Sequence, residues 1–112
     1  MSRKRLSLLA TVALAAAALI PTAAFGGGRS ASSHTVGLKN VRFHPGTLKI
    51  SRGDSVTWRW EDREEHNITF HGLHSRTKTS GSYTVRFTHA GTFSYRCTIH
   101  ESEGMLGKII VQ

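Results

Sequence analysis

The sequence predicts an all-β fold, a sandwich or barrel built from seven to eight short strands. Three segments alternate apolar and polar residues, and their apolar members are Val56, Trp58 and Trp60, then Tyr83, Val85 and Phe87, then Phe93, Tyr95 and Cys97. A period of two places successive side chains on opposite faces of a strand, so each segment is predicted to be a half-buried strand. No stretch after residue 34 has a convincing helical period.

Weaker strand patterns and turn sequences complete this prediction. The weaker strands cover Thr35–Phe43, Thr47–Ser51, His66–Phe70 and Lys108–Val111. Turn-forming sequences separate the strands at His44–Gly46, Arg52–Asp54, Thr79–Ser82 and His89–Gly91. So many short strands in fewer than 80 residues are typical of one all-β domain, and a chain of 112 residues leaves no room for a second.

Residues 1–26 are predicted to be a signal peptide that is removed on export. The basic residues Arg3–Arg5 precede an apolar run at Leu6–Ile20, and small residues follow Pro21. The alternative, a membrane-spanning helix, needs roughly 20 apolar residues, which is more than this run contains. We therefore expect a periplasmic or extracellular protein without a stable membrane anchor after cleavage. Residues 27–34 are predicted to be a flexible leader, and residues 35–112 to be the folded domain.

The charged residues do not form a nucleic-acid-binding pattern. The formal net charge is +8, and removal of Arg3–Arg5 lowers it to +5. The remaining cations are scattered among acidic and apolar residues, with no basic run interleaved with aromatic residues. We expect no nucleic-acid partner, because a charge of this size mainly aids solubility and favours acidic partners.

A thiol, an imidazole and a thioether lie within nine residues, as Cys97, His100 and Met105 in the pattern Cys-x2-His-x4-Met. Cys97 is the single cysteine of the chain, and a free thiol in an oxidising compartment is prone to oxidation, so its presence indicates a function. The loop after the strand can fold His100 and Met105 back toward Cys97. A thiolate combined with imidazole nitrogens and a weak thioether suits copper in both oxidation states.

A fourth ligand must come from another segment, and His66 is the best candidate. It begins a predicted strand and shares its parity with Ile68 and Phe70, which should face the core. His71 and His74 remain alternatives. The other histidines, His34, His44 and His89, lie in or beside predicted loops and are expected to be solvated, as are the acidic residues Glu61, Asp62, Glu64 and Glu65.

The segment from Cys97 to Val111 resembles the corresponding part of plastocyanin and its cupredoxin relatives. So do His66–Ile68, Gly53–Trp58 and Gly91–Tyr95, so that the resemblance spans residues 35–112. It implies a Greek-key, cupredoxin-like sandwich or barrel that holds one type 1 copper ion. Carried over residue by residue, it implies that His66, Cys97 and His100 are strong copper ligands and that Met105 is a weak axial one.

The resemblance also implies supporting residues around the copper. Asn67 matches the position whose backbone amide bonds the cysteine sulfur and whose side chain ties the two ligand loops, and Thr98 matches its usual partner. Two positions differ from the family pattern. Ile99 replaces a frequent proline before the second histidine, and Arg96 replaces the tyrosine that precedes the cysteine in plant plastocyanins. A docking mode that depends on that tyrosine is therefore not expected.

These features predict a monomeric carrier of single electrons rather than an enzyme. Four protein side chains fill the copper coordination, whereas metal catalysis usually needs an open position. The resemblance implies that protein redox partners dock near His100, where we expect an acidic rim from Glu101 and Glu103 on an otherwise basic domain. Copper binding or delivery is the alternative function, and a third hypothesis, an enzyme with Cys97 as nucleophile and His100 as base, is disfavoured. The nucleophile lacks an evident third group to orient the base.

Overall fold

Nine strands form two β-sheets in the computed structural model, which describes residues 29–112. The four-stranded sheet has the order β2-β1-β4-β7, with β1 at Ser33–Lys39, β2 at Arg42–His44, β4 at Ser55–Trp60 and β7 at Ser82–Arg86. The five-stranded sheet has the order β3-β9-β8-β5-β6, with β3 at Thr47–Ile50, β5 at Thr69–Phe70, β6 at Leu73–His74, β8 at Gly91–Arg96 and β9 at Leu106–Val111. The predicted all-β sandwich is confirmed.

The strand count exceeds the predicted seven to eight because two segments differ from their sequence pattern. The segment Thr35–Phe43 is interrupted by a hairpin turn at Asn40 and Val41, whose φ angles are 56° and 57°. The short strand β6 was not predicted. The predicted strand His66–Phe70 is shortened to β5, and His66 instead forms an isolated antiparallel bridge with Lys78.

The start of the domain is held by a buried carboxylate. The Ser32 amide donates to Asp54 Oδ1 at 2.9 Å, and His34 Nε2 lies 3.0 Å from Asp54 Oδ2. Asp54 is only 1% exposed, so these contacts attach the beginning of β1 to the turn before β4. His34 was predicted to be solvated, and this prediction is wrong because its ring pairs with Asp54.

The predicted signal peptide, residues 1–26, and the first two residues of the predicted leader lie outside the described residues. Strand β1 begins at Ser33, two residues before the predicted start of the domain. Within residues 29–112 no helix is long and apolar enough to cross a membrane.

The core between the two sheets is aromatic at its centre. The Trp58 side chain is fully buried, and its ring centroid lies 5.3 Å from that of Tyr95 and 5.8 Å from that of Phe70. Tyr95 also packs edge-on against Phe43 at 4.7 Å. Side chains from both sheets therefore meet around Trp58, and this packing fixes the end of β8, where Cys97 follows.

Strands β8 and β9 approach closely where the nine-residue loop between Arg96 and Leu106 begins and ends. They pair antiparallel, with Leu106 opposite Arg96 and Gly107 opposite Tyr95. A Cβ atom on Gly107 would lie within 2.6 Å of three atoms of the Tyr95 side chain. Only glycine leaves room for the Tyr95 ring at this position, so the pairing that closes the loop depends on Gly107.

Gly107→Ala is therefore expected to lower the free energy of unfolding by about 1–3 kcal/mol, because the added methyl must displace a packed aromatic ring. Gly46→Ala is a matched control, since the nearest atom to a Cβ there is Phe43 O at 3.9 Å. Chemical denaturation of the two variants and the parent gives the comparison. Equal stability of Gly107→Ala and the parent would contradict the close packing of Tyr95 on β9.

Candidate metal centre

The loop between β8 and β9 folds back on itself through its own backbone hydrogen bonds. The Cys97 amide donates to Met105 O at 3.2 Å, the Met105 amide donates to His100 O at 3.2 Å, and the His100 amide donates to Cys97 O at 3.2 Å. A 3₁₀ turn at Glu101–Glu103 ends at Gly104, whose φ of 91° is one that glycine adopts without strain. The loop thereby brings Cys97, His100 and Met105 together at one end of the sandwich.

His66 reaches this loop from a neighbouring segment. Its backbone exchanges two hydrogen bonds with Lys78, at 3.0 and 3.1 Å, which fix the position of the residue without a longer strand. The imidazole rings of His66 and His100 are 5.1 Å apart between centroids.

Three potential metal ligands converge in the interior. Nitrogen atoms of His66 and His100 and the Cys97 sulfur all lie within 4.8 Å of one another, and all three residues are buried. Cys97 Sγ lies 3.6 Å from His100 Nδ1. Met105, which follows His100 by five residues, is also fully buried. Within residues 29–112 this is the one group of three or more such side chains, and the alternatives His71 and His74 are exposed and outside it.

The buried Nδ1 atom of His66 indicates what the cluster can bind. Among the described residues it has no hydrogen-bond partner. The opposite ring nitrogen, Nε2, lies 3.1 Å from Asp62 Oδ1, and a carboxylate only accepts hydrogen bonds. Nε2 therefore carries the ring hydrogen, and Nδ1 keeps a buried, unpaired lone pair on a ring that belongs to the cluster. A buried unpaired acceptor costs about 1–3 kcal/mol, which a metal ion at this point would recover.

The acidic loop before His66 was predicted to be solvated, and this prediction is wrong for Asp62, whose side chain is 23% exposed, whereas Glu64 is 59% exposed. Asp62 accepts hydrogen bonds from His66 and from the backbone amides of Asn40 and Glu64, at 3.0–3.1 Å. Burial alone would raise the pKa of the Asp62 carboxyl, but these hydrogen bonds outweigh it and lower the pKa. Glu64 Oε1 lies 3.6 Å from His100 Nε2.

Each ligand-type histidine thus faces a carboxylate from the same loop. The sequence contained one signal for this arrangement, because Asp62 precedes His66 by four residues. Nothing in the sequence pattern indicated the contact between Glu64 and His100.

Asn67 links the two ligand-bearing segments through its side chain. Its amide nitrogen donates to Thr98 Oγ1 at 2.8 Å and to Thr77 Oγ1 at 3.0 Å, while its carbonyl accepts the Thr98 backbone amide at 3.0 Å. The expected link between the Asn67 side chain and Thr98 is thus formed by two hydrogen bonds. The expected bond from the Asn67 amide to the Cys97 sulfur stays a prediction.

The hairpin turn between β1 and β2 contacts both ligand-bearing loops. The Asn40 amide donates to Asp62 Oδ2 at 3.1 Å. Two residues later, Arg42 Nη1 donates to the carbonyl oxygens of Val41, at 2.8 Å, and Glu103, at 2.9 Å. The turn therefore connects the loop before His66 to the loop that contains His100.

The outer surface of this end combines apolar and charged side chains. Ile99 and Leu106 are 43% and 56% exposed, whereas only 11% of the His100 side chain is exposed. Arg96 Nε donates to Glu101 Oε1 at 3.0 Å, so the charge of Glu101 is compensated by a neighbouring cation.

Comparison with known proteins identifies the family. The family described as copper binding proteins, plastocyanin/azurin family, matches residues 30–112. Chloroplastic plastocyanin of Tetradesmus obliquus is 37% identical over 84 residues, which cover 62% of this chain and 58% of that protein. Amicyanin-alpha of Methylorubrum extorquens is 31% identical over 111 residues, with 92% of this chain and 88% of the relative covered. The chain thus spans less than two thirds of the Tetradesmus plastocyanin and most of the amicyanin.

Solved structures agree with the sequence relatives. A structure of an amicyanin mutant in its Cu(I) form has a TM-score of 0.66 and 30% identity, covering 71% of this chain and 82% of that one. The oxidized state of another amicyanin mutant has a TM-score of 0.66 and 31% identity with the same coverage. The likeness in sequence and structure agrees with the buried cluster of His66, Cys97 and His100. The chain therefore belongs to the copper-binding plastocyanin/azurin family.

Proposed function

We propose that this protein carries single electrons between redox partners with one type 1 copper ion. His66, Cys97 and His100 would be the strong ligands, and Met105 the weak axial one. The observation that supports this assignment most directly is the buried, unpaired Nδ1 of His66, on a ring that has a nitrogen within 4.8 Å of the other two ligand atoms. When bound, copper supplies the change of one unit of charge, and the protein supplies a donor set suited to both oxidation states.

The burial of the donors favours a carrier over a copper-delivery protein. Cys97 and Met105 are fully buried and His100 is 9% exposed, so little ligand surface is available for passing the ion to another protein. Delivery would favour exposed methionines or histidines, and the chain has only two methionines, one of which is the initiator.

A cysteine-nucleophile enzyme fits the surroundings of Cys97 poorly. His100 Nδ1 faces the sulfur at 3.6 Å, but the Cys97 side chain is fully buried and has no access for a substrate. A cavity of about 340 Å³ is lined by residues including Phe70, Val85 and Phe93, and Cys97 is not one of its lining residues.

Electron exchange is proposed to pass through His100, because 11% of its side chain is exposed whereas the other three ligand residues are fully buried. The exposed apolar side chains Ile99 and Leu106 beside it offer a contact area for a protein partner. Such contacts are weak and brief when the interface buries less than ~1,200 Å².

We further propose that the protein acts as a monomer. We also propose that it is exported after removal of residues 1–26, because that segment has basic residues, then an apolar run, then small residues.

Cys97→Ser is expected to abolish the intense thiolate-to-copper absorption in the red while the fold is retained, because the strands have their own core. Met105→Leu should keep the colour and raise the reduction potential, since a weak donor to Cu(II) is lost. Absorption spectra of the copper-loaded proteins measure the colour, circular dichroism measures the retention of the fold, and voltammetry measures the reduction potential. An unchanged spectrum of Cys97→Ser would refute the assignment of the thiolate, and a colourless Met105→Leu would refute a weak role for the thioether.

Asp62→Asn is expected to raise the reduction potential. A carboxylate that accepts the Nε2 hydrogen of His66 makes Nδ1 a stronger donor, which favours Cu(II). Loss of such a partner typically lowers metal affinity by roughly 10–100-fold, and a tenfold loss confined to Cu(II) corresponds to about 59 mV. Glu65→Gln is the control, because it removes the same charge from the same loop. Voltammetry that gives equal shifts for both variants would mean that the hydrogen bond has no effect of its own.

A further inference from the structure

The acidic residues of this chain are concentrated around the metal centre. Of the seven Asp and Glu residues, six lie in the segments 61–65 and 101–103. The seventh, Asp54, is buried at the start of the domain, where it bonds Ser32 and His34. The cations Lys39, Lys49, Arg52, Arg59, Arg86 and Lys108 lie outside these two segments. Arg63 lies within the first segment, and Arg42 and Arg96 bond Glu103 and Glu101 of the second, so the end that carries the cluster holds nearly all of the acidic residues together with some of the cations.

Two of these six carboxylates have their charge engaged within the domain. Asp62 accepts three hydrogen bonds, including the one from His66. Glu101 forms an ion pair with Arg96 at 3.0 Å, although the sequence predicted it to be part of an open acidic rim. The charge that a partner meets at this surface must therefore come mainly from the other acidic residues.

Glu64 is the acidic residue placed at the edge of the ligand histidine. Its side chain is 59% exposed, and Oε1 lies 3.6 Å from His100 Nε2, which itself belongs to a side chain only 11% exposed. A molecule that approaches the visible edge of His100 therefore meets the Glu64 carboxylate. At 3.6 Å the contact is longer than a good hydrogen bond, so the carboxylate keeps much of its capacity to accept from another donor.

We propose that Glu64 determines which redox partners can use the His100 port, by selecting proteins that present a lysine or arginine there. This inference rests on the proposed function and specifies the partner. A basic side chain would pair with Glu64 while apolar partner residues cover Ile99 and Leu106, which are exposed on the segment that carries His100. An acidic partner at the same place would put like charges together, and this mismatch is how charged interfaces exclude wrong partners.

The test compares Glu64→Gln with Glu65→Gln in the copper-loaded protein. Both variants remove one negative charge from the same loop, and Glu65 is exposed with no contact to His100 among those described. Electron exchange is measured with a cationic cobalt(III) complex, with anionic ferricyanide and with a basic c-type cytochrome. The reduction potential of each variant is measured as well, so that rates are compared at equal driving force.

Glu64→Gln should slow exchange with the cationic complex and the basic cytochrome by about fivefold, the size of the interaction between adjacent unit charges in water. Exchange with ferricyanide should become faster, and the salt dependence with the cytochrome should flatten, because exposed charges are screened over about 8 Å at physiological salt. Glu65→Gln should change each rate less.

A second readout does not depend on electron exchange. The reduced protein is titrated with the basic cytochrome and followed by amide NMR shifts, which should change at residues 64 and 99–101. The dissociation constant of the complex with the cytochrome should increase by about fivefold in Glu64→Gln and by less in Glu65→Gln. A purely structural role of Glu64 would shift the reduction potential and leave this constant unchanged.

The outcomes separate this inference from the function on which it rests. Equal effects of the two variants with all three reagents would overturn the role of Glu64 and assign the preference to the general charge of the loop. Tighter binding of an acidic protein at His100 would overturn it as well. A parent protein that binds copper without the red absorption, or exchanges electrons with none of the reagents, would instead overturn the proposed function.

Discussion

A buried imidazole nitrogen without a hydrogen-bond partner is the constraint on which the metal end of this domain depends. Water cannot reach His66 Nδ1, and the described residues offer it no donor. The ring would turn or become solvated if it were free to do so, because an unpaired buried acceptor is unfavourable. The bridge to Lys78 fixes its backbone, and Asp62 fixes the other ring nitrogen. The surroundings thereby hold a lone pair ready for a metal ion.

Three separate loops keep this arrangement in place, and each is bonded to another. Asn67 joins the segment of His66 to Thr98 beside the cysteine. The hairpin turn after β1 joins both, through the Asn40 amide to Asp62 and through Arg42 to the carbonyl of Glu103. Val41 in this turn has a φ of 57°, a conformation that β-branched residues rarely adopt and that costs about 1–3 kcal/mol. Its packing on the core and the bonds of its neighbours offset that cost.

Local periodicity accounts for what could be predicted from the sequence. Alternation located β4, β7 and β8, because half-buried strands repeat every two residues, and it placed the side chain of His66 on the inner face. The spacing after Cys97 and the resemblance to a known family indicated the buried cluster. The turn at Asn40 could not be predicted, and neither could the contacts of Asp62 with Asn40, of Glu64 with His100 and of Arg42 with Glu103. These contacts join segments that are distant in sequence and leave no local pattern. The pairing of Arg96 with Glu101, which are five residues apart, was missed because it depends on how the loop after Cys97 folds, and the strand period does not describe that loop.

One short loop serves the interior and the surface of the metal centre at once. Asp62 and Glu64 are two residues apart, and their side chains contact different histidines, one fully buried and one at the surface. The inner carboxylate accepts the ring hydrogen of His66, so its charge acts on the donor strength of that ligand. The outer carboxylate is largely solvated, so its charge acts on molecules that approach His100 and is screened from the interior by water. Substitutions in this five-residue segment can therefore change the donor strength of His66 and the preference for redox partners separately.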